Sequence, residues 1–138
     1  MNDIQKAKDQ LSSGGYTCVL CKGKMQYTSR ERGVKPLMNW LSQNIELEGF
    51  SAADKVVGRA TAFLYILLGV KQVYASVMSQ PAADIFVQYG VPIEAELIVP
   101  AIKNRSGTGF CPMELAAQDC ATPEEAYQAI QETLKRIE

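Results

Sequence analysis

Asp54 and Lys55, within Ser51-Ala-Ala-Asp-Lys-Val-Val-Gly-Arg-Ala60, set an acid beside a base at the edge of a long apolar segment. A carboxylate so placed can hydrogen-bond a ribose or a base, or attack as a nucleophile. The plainer role for Asp54 is a helix cap, with Lys55 solvated. Asn104-Arg-Ser-Gly-Thr-Gly-Phe-Cys-Pro112 is a glycine-containing loop running into a helix start, the way backbone N–H groups come to converge on an anion. There Asn104, Arg105, Gly107 and Gly109 are candidates for holding a charged group, Arg105 by a bidentate contact to phosphate or carboxylate. The plainer alternative is a surface loop with Arg105 in water. Cys111, next to Pro112 at a helix start, is a second candidate nucleophile, because a helix N-terminus lowers a thiol's pKa. Glu114, just beyond it, is either an acidic residue of that helix's first turn or a partner for ligand.

The chain contains no histidine, so the commonest general base and the commonest zinc-ligand side chain are both missing. A base for Cys111 would have to be Lys, Asp or Glu. Cys18-Val-Leu-Cys21 has metal-like spacing, yet in a strand residues three apart face opposite sides and cannot share an ion. No metal and no cofactor is therefore expected. Ser29-Arg-Glu-Arg-Gly-Val-Lys35 gathers three cations around one anion; it reads as a solvated turn, or as a way for Arg32 or Lys35 to approach the same cleft as Asp54.

The elements that must position these groups follow from pattern. At 138 residues, with 47% hydrophobic and 21% charged residues and a net charge of -1, the chain suits one compact domain spanning 1–138. The near-neutral balance argues against a nucleic-acid partner, which needs clustered cations to neutralise phosphates. The longest apolar run, Ala60 to Val70, falls well short of the ~20 residues that cross a bilayer, so no membrane association is expected. The amino-terminal residues have no apolar core segment, which makes them a first helix and not a secretory signal, and the cytoplasm the expected location.

That helix ends at Gly14-Gly15. Tyr16 to Cys21 and Met25 to Thr28 read as a hairpin turned at Lys22-Gly-Lys24, and Val34 to Leu41 as a helix with Pro36 near its start. Ser51 and Asp54 have capping-box spacing, which predicts one long helix from Ser51 to Leu68, stopped by Gly69. Gln72 to Val77 and Glu96 to Val99 read as strands, with a helix over Gln80 to Tyr89 between them, so these two strands should be parallel. Pro112 to Gln118 and Pro123 to Ile137 read as final helices, the second capped by Thr122. This order implies an α/β three-layer α-β-α sandwich around a mixed sheet of about four to five strands.

Thr17-Cys-Val-Leu, Ser29-Arg-Glu-Arg-Gly-Val-Lys-Pro-Leu37, Ala53-Asp-Lys-Val-Val-Gly58, Val73-Tyr-Ala75, Val99-Pro100, Asn104-Arg105 and Cys111-Pro-Met-Glu114 resemble, in order and over nearly the whole chain, the motifs of the domain of unknown function 1893 family. The resemblance implies a cytidine-deaminase-like fold. Zinc deaminases place a His or Cys ligand and a catalytic Glu at the start of the helix after the hairpin, and a Pro-Cys-x-x-Cys pair at the start of the helix after the next strand. Here those positions are expected on Ala53-Asp-Lys55 and Ser79-Gln-Pro-Ala-Ala83, which contain none of the metal ligands. Deamination by a zinc-activated water is therefore not expected.

Three functions follow as expectations. The first is a metal-free binding domain for a nucleotide-like or phosphorylated small molecule, of nucleoside phosphate or ADP-ribose type. Asp54, Lys55 and Ser79 would line its pocket, with Lys35 and Glu114 near by and the Asn104 loop on the charged end. The second is a non-zinc enzyme using Cys111 or Asp54 as nucleophile. The third is a structural or regulatory homo-oligomer with a relic pocket, associating through the apolar helix around Phe63, Leu64, Tyr65, Leu67 and Leu68.

Overall fold

The computed structural model describes residues 2–103 and 111–137. Asn2 caps the first helix, α1 (Asp3–Ser13), by accepting from the Gln5 N–H at 3.0 Å. The hairpin strands are β1 (Cys18–Lys22) and β2 (Met25–Ser29), joined through Gly23 at φ 59°. Its turn is tied to α1: the Gly23 N–H donates to Asp3 Oδ1 at 3.0 Å and Lys6 donates to the Gly23 carbonyl at 3.2 Å. Helix α2 (Lys35–Ser42) follows, with Pro36 in its first turn.

The expected long helix from Ser51 to Leu68 is instead two elements. Ser51–Val57 is a strand, β3, and the helix α3 begins only at Arg59 and runs to Leu68. There is no capping box: Ser51 Oγ accepts from the Gln72 side chain at 2.9 Å, and Gly58, extended at φ -101° and ψ -176°, is the N-cap. The local signal of Ser-Ala-Ala-Asp is helical, and pairing on both sides overrides it. β3 pairs antiparallel with β1 and parallel with β4 (Gln72–Ser79), so its main chain is bonded along both edges. Small Ala52 and Ala53, both fully buried, suit a central strand with helices close on either face.

After β4 come α4 (Gln80–Gln88), β5 (Ile93–Val99), α5 (Pro112–Ala117) and α6 (Pro123–Ile137). β5 starts at Ile93, three residues before the expected Glu96, and is parallel to β4, as the strand-helix-strand order required. Thr122 caps α6 by accepting from the Glu125 N–H at 3.2 Å. The sheet order is β2-β1-β3-β4-β5, with β1 antiparallel to both neighbours.

Helix α1 lies on β1, β3 and β4, where Ala7, Leu11, Val19, Cys21, Ala53 and Tyr74 pack together. The opposite face holds the larger core, from Cys18, Leu20 and Ala52 of the sheet to Phe63, Leu64 and Tyr65 of α3. The chain is thus an α/β three-layer sandwich on a five-stranded mixed sheet. Cys18 and Cys21 belong to opposite faces. Helix α3 touches α2, α4, α5, α6 and β3, so most of its apolar surface is covered within one chain, with Leu67 left half-buried. Among the described residues, no helix is long and apolar enough to cross a membrane.

Candidate functional site

Parallel strands deliver their following helices to one edge of the sheet, and β3 and β4 do so at Gly58 and Ser79. Gly58 offers no capping side chain to α3. The cap comes from α5: Glu114 accepts from the Arg59 N–H at 2.8 Å through Oε1 and from the Ala60 N–H at 2.9 Å through Oε2. A Cβ at position 58 would stand 2.4 Å from that carboxyl carbon, so only glycine leaves room for the carboxylate. In return, the Arg59 guanidinium donates to the carbonyls of Ala117 at 3.1 Å and Cys120 at 2.7 Å, at and just beyond the end of α5, and stacks 5.0 Å from the Phe63 ring. An anion thus faces a helix N-terminus and a cation faces helix C-terminal carbonyls, each complementing the local dipole.

Beneath this edge lies a buried polar network. Asp54 of β3 is only 7% exposed, and Tyr65 of α3, fully buried, donates to its Oδ2 at 2.7 Å. Cys18, paired opposite Asp54 on β1, lies with its sulfur 3.1 Å from the same phenol oxygen. Since the phenol proton goes to Asp54, the thiol donates to the phenol. Burial without a cationic partner raises the Asp54 pKa from 3.8 to about 7, opposed by the hydrogen bonds from Tyr65 and from the Val56 and Lys55 main chain. Burial likewise pushes both Cys18 and Tyr65 well above their ordinary values, the nearby Asp54 charge adding to each, so both stay neutral.

The expected site residues are only partly brought together. Asp54 lies inside the core and not on a first helical turn, while its neighbour Lys55 is exposed, since successive strand residues face opposite ways. Ser79 is fully buried, and its hydroxyl caps α4 by accepting from the Ala82 N–H at 3.1 Å. Glu114 faces the same edge but is committed to α3. Lys35 is exposed at the start of α2. Cys111, half-buried, precedes α5, and its N–H donates to the Ile102 carbonyl at 3.2 Å. Asn104, Arg105, Gly107 and Gly109 lie outside the described residues.

Once β3 is a strand, the helix after the hairpin is α2 and the helix after the next strand is α3. The two ligand-bearing positions implied by the resemblance therefore move from Ala53–Lys55 and Ser79–Ala83 to the first turns of α2 and α3. Neither Val34-Lys-Pro36 nor Gly58-Arg-Ala-Thr-Ala62 carries a cysteine or histidine. Among the described residues, no group of three or more His, Cys, Asp or Glu side chains is disposed to hold a metal.

The sequence reading missed Gly58, Arg59, Tyr65 and Cys18. Tyr65 was visible as the polar-tipped residue of an apolar helix, and a buried phenol needs a partner. The other three take their places in these networks only through contacts between distant segments.

The model of the domain of unknown function DUF1893 matches residues 6–134. The chain belongs to the DUF1893 family. A crystal structure of a DUF1893 family protein, TM1506 from Thermotoga maritima, is similar at 24% identity, with a TM-score of 0.85 over 98% of this chain and 90% of that one. At that identity the likeness shows the fold, which this DUF1893 chain shares over nearly its whole length. No protein of curated function matches it.

Proposed function

We propose that the chain is a metal-free binding domain for a nucleotide-like or phosphorylated small molecule, held at the edge where β3 and β4 end. The observation that carries this reading is the cradle at the first turn of α3. A carboxylate already held there by two main-chain N–H groups marks the position as one suited to an anion, and Glu114 is its internal occupant. The finer fold assignment, cytidine-deaminase-like, is supported by the order β2-β1-β3-β4-β5 with β1 alone reversed. In that fold the first turns of the two corresponding helices line the base pocket; here they carry Lys35 and Arg59 in place of metal ligands. In this reading Arg105 is the contact to phosphate, Asp54 a buried acid beneath the same edge, and the protein cytoplasmic and homo-oligomeric.

A second reading, an enzyme with Asp54 as nucleophile, would have to act through the ionised form of a carboxyl whose pKa burial raises to about 7. Native and denaturing mass of the protein as purified separates the two. The binding reading expects a non-covalent excess of a nucleotide fragment, and the enzyme reading an adduct on Asp54. Calorimetric titration with a nucleoside monophosphate and with ADP-ribose should give saturable affinity, lost in Arg105→Ala and strengthened in Glu114→Gln, which weakens the internal competitor. A bare mass with no saturable affinity would overturn the proposal.

A further inference from the structure

The opposite edge of the sheet carries a second feature that plays no part in the proposed site. A groove of about 680 Å³ opens where β1 ends, β2 begins and the chain enters β3, and its wall is made by the ends of α2 and α3. A second hollow of about 390 Å³ shares Leu41, Asn44 and Leu67 with it and continues toward α6. Leu41, Ile45, Leu67 and Tyr127 are half-buried along this course, an apolar floor left partly open to water.

The electrostatics of the groove are one-sided. Glu46, Glu48 and Glu124 stand exposed along it. Among the described residues the ion pair is Lys8 with Glu94, which lies elsewhere. Helices α2 and α3 both end here, neither has a basic residue in its last turn, and each terminus adds partial negative charge. The first turn of α6 brings the opposite dipole sign at one end, and Glu124 and Glu125 offset it. The single cation of the lining, Lys22, is already engaged: it donates to the Glu48 carbonyl at 3.1 Å and lies 5.9 Å from the Phe50 ring.

We infer that this groove docks a basic amphipathic helical segment of a partner protein, with its apolar face on Leu41, Ile45, Leu67 and Tyr127 and its lysines or arginines toward Glu46, Glu48 and Glu124. The charge complement selects the sign of the partner. The continuity of the two hollows selects an elongated occupant over a compact one.

The test uses the full chain and a synthetic leucine–lysine peptide of about fourteen residues, roughly four helical turns, with leucine at helical spacing. The expected result is saturable binding of one peptide per chain. Amide chemical-shift changes should be confined to Leu41–Phe50, the end of α3 and the start of α6, and affinity should weaken as salt rises. Reversing Glu46, Glu48 and Glu124 to lysine should cost about tenfold or more in affinity, and a leucine–glutamate peptide of the same pattern should not bind. All three positions are exposed, so an unchanged thermal transition verifies that the variant is folded. The proposal is overturned by an absence of saturation, by shifts elsewhere on the surface, or by equal affinity after charge reversal. It is also overturned if the protein alone forms a dimer that the same reversals abolish, which would give the groove to a second copy.

Discussion

Asp54 sits 7% exposed with a phenol and a thiol for company and no cation, a placement that makes folding depend on pH. In the unfolded chain its carboxyl titrates near the ordinary 3.8, and in the folded chain near 7. The folded state therefore holds the proton more tightly. The stability this confers is fully present below the unfolded value and is lost as pH rises through the folded one, by roughly 4 kcal/mol in all. Asp54→Asn should abolish that dependence. Urea midpoints from about pH 4 to about pH 8 should show wild type losing ground to the variant steadily as pH rises. A difference that stays flat, or runs the other way, would sink this account. Asp54 itself was legible as a residue of interest, but its environment was not: Cys18 lies thirty-six positions before it and Tyr65 eleven after, and only strand pairing and helix packing join them.

The same limit appears at the scale of elements. Ser51 to Leu68 has apolar residues at helical spacing and a capping-box pair, so its local signal is helical throughout. The first seven residues nevertheless form β3, because pairing with β1 and β4 satisfies the main chain on both sides and small alanines admit helices close to each face. The hairpin, α4 and the Thr122 cap were legible because their signals are local. The α3–α5 lock was not, since it couples Gly58 and Arg59 to Glu114 across more than fifty positions. Glu114→Ala should destabilise the fold by about 1–2 kcal/mol, the usual worth of a lost helix cap. Gly58→Ala, whose Cβ expels the same carboxylate, should cost about as much. The double variant should lose clearly less than the sum, because both changes remove one interaction. Additive losses in chemical unfolding would mean that the two residues act separately.

Across the whole molecule, α3 is the piece on which both edges depend. Its start forms the anion cradle, its middle donates Tyr65 to the buried network, and its end walls the groove. Leu64, fully buried in this helix, should cost roughly 2–5 kcal/mol when replaced by alanine. The loss should appear as one cooperative transition seen alike by far-ultraviolet and aromatic circular dichroism; two separated transitions would show that the layers unfold independently. The placement of α3 at the centre of five neighbours accounts for most of its apolar surface. The sequence by itself determined the layered α/β class, the hairpin, the parallel β4–β5 pair and the absence of histidine chemistry, since propensity, capping and composition act over a few residues. Tertiary structure alone decided that Asp54 belongs to a strand and a buried network, that Glu114 fills the α3 cradle, and that an acidic apolar groove lies at the far edge. Each of these depends on pairing or burial between segments distant in the chain, where long-range hydrogen bonding and desolvation outweigh local preference.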